Sequence, residues 1–241
     1  MPAWAGSTRF ARRTRCTISS WRDAARSLRR RALLATTGPH RPVSGHWGYD
    51  RGTPIDRWYI EAFLDEHRSD VRGDALEVKS DSYVRRYGTS LATVHVLDLD
   101  KANGAATVVG DLGAERPLAT ESLDCFVLTQ TLQYVWDLGA AVRNAHDMLR
   151  PGGVLLLTVP AVARLSSELD YDDLWRFTAA STRRLLAPAF GEGNVTVVSR
   201  GNLVSAAAFL AGLAASELSA RELDDDDQRF PVVITARAAR T

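Results

Sequence analysis

Apolar residues in this chain come in short unbroken runs, and stretches of helical spacing separate the runs in a regular order. Thr107-Val-Val-Gly-Asp111 is a brief apolar run that ends in an acid, and Leu123 to Thr129 is a second run that ends in the polar turn Thr129-Gln-Thr131. A helical pattern follows from Asp137 to Leu149, then a Pro151-Gly-Gly153 break and the apolar run Val154 to Val159. Unbroken runs of this length suit strands covered on both faces. Their alternation with helices predicts an open, mainly parallel α/β sheet that takes its ligand along the edge where the polar strand ends gather.

The flanking segments extend the pattern. Thr53 is a good helix cap, Pro54 suits the first helical position and Asp56 favours the positive end, so a helix is predicted with Ile55, Trp58, Tyr59, Ala62 and Phe63 inward. Before it, Gly38 to Gly52 reads as an ordered loop carrying Trp47 and Tyr49. Asp74–Val78 is the first expected strand, Lys79–Gly88 a turn and short helix, and Thr93–Leu97 a second strand with the acidic tip Asp98-Leu99-Asp100. Too few residues lie between Asp98 and Thr107 for a crossover helix, so a tight loop is expected there. A regular segment at Ser181–Leu186, a strand at Asn194–Ser199, a helix at Leu203–Ala215 and a strand at Pro231–Ala238 complete the series, with Asp224–Asp227 as a solvated loop. Residues 19–34 could form an amphipathic helix through Trp21, Ala25, Leu28 and Leu33.

Composition divides the chain in two. At 241 residues and 45% hydrophobic it can bury one good core. The net charge of +1 hides an asymmetry: residues 1–40 hold nine arginines against Asp23 alone, so a basic arm precedes a mildly acidic domain over 41–241. The arm admits a nucleic-acid contact, a membrane-surface contact, a transit peptide or a plain extension, and the last is favoured. Arginine far outnumbers lysine (only Lys79 and Lys101), and alanine is abundant, which suggests a GC-rich bacterial coding sequence and argues against a transit peptide. No apolar run is long enough for a membrane span, and Ala32-Leu-Leu-Ala35 is too short for a signal core. Cys16 and Cys125 fall in the arm and in an expected buried strand, so no disulfide is expected and the cytoplasm is the expected compartment.

A nucleotide-like ligand on such a sheet needs an open turn after the first strand, an acid at the second strand's tip for the ribose hydroxyls, and a polar group beyond the third strand for the base. The chain offers Glu77-Val78 and its turn, then Asp98, then Gly110-Asp111-Leu112. No His, Cys or acidic spacing suits a metal, and Gly110-Asp-Leu112 lacks the Gly-Lys-Ser/Thr ending of a phosphate loop.

These residues, with Gly48 to Arg57, Arg85-Arg-Tyr-Gly88, Leu128–Leu132, Leu149–Gly153, Trp175–Thr178 and Gly201-Asn202, resemble the class I S-adenosylmethionine-dependent methyltransferases, in a type 11-like bacterial subgroup, over roughly residues 45–238. The resemblance implies a Rossmann-like sheet, mostly parallel with an antiparallel last strand and helices on both faces. It implies S-adenosylmethionine as cofactor and S-adenosylhomocysteine as product. Glu77 would then anchor the methionine end, Asp98 with Leu99 the ribose, and Asp111 with Leu112 the adenine, while Thr129 and Gln130 would line the opening above the sulfonium. Tyr49 and Arg51 would fold over the cofactor. The usual glycine-rich first turn is replaced by Lys79-Ser-Asp-Ser82, where Lys79 would pair with the cofactor carboxylate or point to solvent. Tyr134 stands where many relatives carry a histidine, so Tyr134, His46 and Arg176 are the catalytic candidates; His67 and His146 read as surface helix residues and His95 as a strand residue. The expected function is O-methylation of a small-molecule or sugar-containing acceptor in glycan or secondary-metabolite biosynthesis. The alternative is a cofactor-binding, non-methylating cyclase or accessory protein. No membrane or nucleic-acid partner is expected, and an arm packing on a second copy would make a homodimer.

Overall fold

The computed structural model describes residues 41–166 and 172–241, with Ala25, Leu28 and Arg29 from the arm. The expected helix over 19–34, the role of the arm and Cys16 therefore lie outside the described residues. A seven-stranded sheet organises the rest: β1 (Arg72–Val78), β2 (Ser90–Asp98), β3 (Val108–Val109), β4 (Leu123–Thr129), β5 (Leu149–Pro160), β6 (Val195–Arg200) and β7 (Val233–Ala239). The spatial order is β3-β2-β1-β4-β5-β7-β6, with β7 antiparallel to both of its neighbours and every other pairing parallel.

The helices are α1 (Ile55–Glu66), α2 (Ser82–Tyr87), α3 (Leu138–Met148), α4 (Ala179–Phe190), α5 (Leu203–Leu210) and α6 (Ala220–Asp224). Successive residues of β4 point to opposite faces, and both faces are apolar. Phe126 and Leu128 join Ala141, Val142, Ala145 and Met148 of α3 and Leu186 and Phe190 of α4, whereas Cys125 and Val127 join Ile55, Tyr59, Ile60 and Phe63 of α1 and Phe209 of α5. That two-sided burial is why β4 and β5 read as unbroken apolar runs.

Several boundaries differ from the sequence reading. Thr53 is not the cap of α1; Pro54 holds that position with ψ 149°, and Thr53 gives its carbonyl to the Ala215 N–H (2.8 Å). Pro151-Gly-Gly153 does not precede β5 but lies within it. Leu149 already pairs with Leu123, and the register shift before Cys125 absorbs the break. The Gly152 N–H and Gly153 carbonyl bond to Arg240, so the segment stays in the sheet. Helix α5 stops at Leu210, short of the expected Ala215, because Gly212 turns left-handed (φ 78°) and the Leu213 N–H reaches back to Ala208. Helix α4 runs longer than Ser181–Leu186, through a Thr178–Ser181 capping box. Asp224–Asp227 is more than a solvated loop: Asp224 ends α6, Asp226 accepts the Gly201 N–H (2.7 Å) and Asp227 pairs with Arg229 (2.7 Å). The tight β2–β3 connection is present, and it suffices because β3 is only two residues long.

The loop ahead of α1 is tied to the far end of α5. The Val43 N–H bonds to the Ala211 carbonyl (2.7 Å), and a Cβ on Gly212 would meet the Ser44 carbonyl oxygen at 2.5 Å. Gly212→Ala therefore combines a left-handed φ with a clash against backbone and is expected to destabilise the protein by about 2 kcal/mol in denaturant unfolding. A loss under about 0.5 kcal/mol would show that this junction is not tightly packed.

Candidate active site

The carboxyl ends of β1, β2 and β4 open into one cleft of about 910 Å³. Its floor is the sheet edge, and its roof comes from the loop ahead of α1 and from the segment after β5. Tyr49, Glu77, Lys79, Asp98, Leu99, Asp111, Leu112, Thr129, Gln130, Tyr134 and Arg176 all line it. His46 and Arg51 do not. His46 is exposed, and its backbone N–H bonds to the Ser44 hydroxyl (3.0 Å). Arg51 makes a two-pronged pair with Glu217, with Nε 2.9 Å from Oε2, which fastens the loop to the 3-10 turn Ala215–Glu217. The Arg51 guanidinium holds the Glu217 carboxyl below the usual glutamate range.

Glu77 organises the turn after β1. Its side chain is only 2% exposed, and its carboxylate accepts the Val84 N–H (2.8 Å) and the Tyr83 N–H (3.2 Å), capping α2. Burial pushes its carboxyl up to about 7, even though those two N–H groups favour the charged form. With no glycine available, Lys79 itself adopts φ 72°. The usual cost of that conformation for a side chain is offset by local bonds: the Lys79 N–H reaches the Leu97 carbonyl, and its own carbonyl accepts from Asn103 Nδ2, both at 2.8 Å. The turn thus keeps a left-handed step without glycine.

Asn103 also donates to Asp98 Oδ2 (2.6 Å), and the Asp100 N–H reaches Asp98 Oδ1 (3.0 Å). The tip of β2 is therefore held from both sides, and the short β2–β3 loop supplies the holder. Each Asp98 oxygen keeps acceptor capacity for a diol, since a carboxylate offers about four lone-pair sites. Asp111 accepts the Gly113 N–H (2.8 Å), and Leu112, 4% exposed, forms the apolar wall beside it.

Beyond β4, Gln130 takes a left-handed φ of 47° and donates its N–H to the Thr158 carbonyl (2.8 Å). Gln133 Nε2 donates to the Gln130 carbonyl (2.9 Å), leaving Gln133 Oε1 and Gln130 Nε2 buried without a protein partner. Orphaned polar atoms in a cleft wall are what a ligand would satisfy. The 3-10 turn Leu132–Tyr134 carries Tyr134, and Trp175 braces it from behind by donating Nε1–H to the Val135 carbonyl (2.9 Å). Arg176 lines the cleft, but its guanidinium is spent on Asp173 (2.5 and 3.0 Å) and on the carbonyls of Trp175 and Arg164. Burial pushes Asp173 up, but Arg176 and the Ser166 N–H outweigh it and leave that carboxyl below its ordinary value. His67 and His146 are half-buried, edge-on to Phe63 and Phe190, and His95 sits in β2.

Sequence reading missed Asp56, Arg57 and Tyr83, which also line the cleft. In sequence Asp56 reads as a charge at a helix start and Arg57 and Tyr83 carry no site signal, and only the fold brings α1 over the β1 turn. Volume, the acids at the strand tips and the unpartnered amides all fit a nucleoside with an amino-acid tail.

Glu77 generates a pH prediction. A carboxyl whose folded pKa lies above its unfolded value contributes stability that is complete at about pH 4 and is lost as pH rises through about 7. The ligand-free protein is therefore expected to lose about 3 kcal/mol from this group between pH 4 and 8. Glu77→Gln is expected to remove most of that slope in chemical denaturation, and an unchanged slope would contradict the assignment.

A family model described as a methyltransferase domain matches residues 79–157. No curated protein matches the sequence. Among solved structures, the 1,6-didemethyltoxoflavin-N1-methyltransferase of Burkholderia thailandensis, bound to its substrate and S-adenosylhomocysteine, is 14% identical with a TM-score of 0.50, covering 96% of this chain and 93% of its own. The [4+2]-cyclase SpnF is 14% identical with a TM-score of 0.51, covering 92% of this chain and 94% of its own. A methyltransferase of Mesorhizobium loti is 17% identical with a TM-score of 0.49, covering 77% and 98%. At these identities the first two structures speak for the fold alone, and the family model speaks for the segment that runs from the β1 turn into β5. Strand order, cleft and matched segment agree: residues 79–157, from the β1 turn into β5, match a methyltransferase domain and lie on a sheet of the Rossmann-like order.

Proposed function

We propose that the chain methylates a hydroxyl group on a small or glycosylated acceptor of glycan or secondary-metabolite biosynthesis. One observation carries the reading: a single cleft gathers Glu77, Asp98, Asp111 and Tyr134, with aromatic residues Trp47, Tyr49 and Trp136 along its walls. Trp136 is 77% exposed there, a broad apolar face suited to stacking on a sugar or aromatic ring.

When bound, S-adenosylmethionine supplies an activated methyl group on a positively charged sulfur. Asp98 would accept hydrogen bonds from the ribose hydroxyls, Asp111 and Leu112 would hold the base, and Glu77 would take the ammonium of the amino-acid end. Its raised pKa gives Glu77 a second effect: a bound cation draws it to the charged form. At the methyl carbon the acceptor oxygen would attack in line, with the carbon–sulfur electron pair returning to sulfur, and the chain's part would be to align the two. The hydroxyl proton leaves through Tyr134, whose phenol accepts it by hydrogen bond and passes its own to solvent at the cleft mouth. Most of the acceleration is positional, because an in-line displacement demands alignment more than it demands a strong base. His46 takes no part in this reading, and Arg176 acts by holding the roof.

A second reading, a cofactor-binding cyclase or accessory protein, is favoured by the tyrosine at position 134 and by the likeness in fold to a cyclase. Turnover separates the two. Purified protein is incubated with S-adenosylmethionine and a panel of phenols, sugars, glycosides and amines, and S-adenosylhomocysteine release is measured. Release with hydroxyl acceptors supports the proposal, release with amines alone contradicts O-methylation, and tight cofactor binding with no release across the panel favours the second reading. With an active acceptor, Tyr134→Phe is expected to lower kcat by about 100-fold with little change in cofactor affinity. Asp98→Ala is expected to weaken S-adenosylhomocysteine binding by about 10- to 100-fold, the worth of charge-assisted hydrogen bonds.

A further inference from the structure

The glycine-free turn offers an amino-acid carboxylate fewer backbone partners. Near the end of β1, four backbone N–H groups are already occupied. Tyr83 and Val84 give theirs to Glu77, Lys79 gives its own to Leu97, and Gln130 gives its own to Thr158. A side-chain cation supplies the stronger, charge-assisted partner for a carboxylate. Among the described residues, four cationic ones line the cleft: Arg57, Lys79, Arg164 and Arg176. Arg176 is committed to Asp173, Arg164 lies flat on the Trp47 ring with 3.6 Å from its guanidinium carbon to the ring centre, and the Lys79 side chain stands exposed.

Arg57 is different. It projects from the first turn of α1, and its Nε–H donates to the Tyr49 hydroxyl (2.9 Å). The Tyr83 phenol of α2 is its other hydrogen-bonding neighbour. Among the described residues Asp56 is the one acid within 4 Å, and it stands 3.8 Å from Nε. Burial works against the Arg57 charge, but Asp56 and the two phenols outweigh it, so the guanidinium stays cationic. Burial also raises the Tyr83 pKa, which keeps that phenol neutral and able to donate.

We propose that Arg57, flanked by the Tyr49 and Tyr83 hydroxyls, binds the carboxylate at the amino-acid end of the cofactor and takes over from the backbone donors of a glycine-rich turn. The inference rests on the cofactor reading above and adds its recognition element. It makes the loop ahead of α1 part of the cofactor site, so that the carboxylate links Tyr49, α1 and α2.

The test compares two ligands that share the adenosine and sulfur but differ in the tail. S-adenosylhomocysteine carries the carboxylate, and 5′-methylthioadenosine lacks the whole amino-acid end. Calorimetry on the full chain is expected to show that Arg57→Ala weakens S-adenosylhomocysteine by about 30-fold and leaves 5′-methylthioadenosine within about twofold. Arg57→Lys should fall between, since the charge remains without the fork. Tyr83→Phe, a milder change that leaves the ion pair in place, should cost about fivefold for S-adenosylhomocysteine alone. Equal losses for both ligands, or no loss for either, would overturn the assignment while leaving the methyltransferase reading intact. A wild-type protein that binds neither ligand would instead overturn the cofactor reading, and this inference with it.

Discussion

The carboxyl group of Glu77 sets the conformation on which the cleft depends. It is buried at the end of the first strand and takes two N–H groups of the following helix. In doing so it fixes where the chain leaves β1 and how α2 begins. The left-handed Lys79 and the Asn103 bridge to Asp98 follow from that exit, because both depend on the path of one turn. A charge in such a place costs desolvation, and the protein meets the cost by holding the carboxyl near half-protonation at neutral pH.

Above this turn the roof is assembled from side-chain pairs. Ser44 donates its hydroxyl to Asp50 and accepts the N–H groups of His46 and Gly48, and Arg51 clamps Glu217. On the opposite side Arg176 closes on Asp173, and Trp175 reaches the Val135 carbonyl. The floor is a sheet buried on both faces and belongs to the whole architecture. The roof is made of loops, the part of such a fold that ordinarily carries specificity.

The strands buried on both sides were legible because two-sided burial demands unbroken apolar runs; β4 coincides with its expected span from Leu123 to Thr129. Acids at strand tips were equally legible, since Asp98 and Asp111 follow apolar runs directly. What could not be read was how residues far apart in sequence share one space. Arg57 carried no site signal in sequence and joins the cleft only because α1 lies over the β1 turn, and Arg51, its near neighbour, turns instead to Glu217, 166 residues away. The absence of glycine at the first turn suggested a lost conformation, yet Lys79 adopts it with two backbone bonds as support. Glycine lowers the cost of a left-handed step but is not its only route. Pro151-Gly-Gly153 misled for a related reason: residues that usually end an element here form an irregularity inside a strand.

The central claim is that the Glu77 turn, despite its sequence, builds a working cofactor site. Calorimetric titration of the wild-type protein with S-adenosylhomocysteine tests it most directly. The account predicts saturable binding at one site per chain with a micromolar dissociation constant. No binding at millimolar ligand would contradict it and would mean that the turn has closed the site.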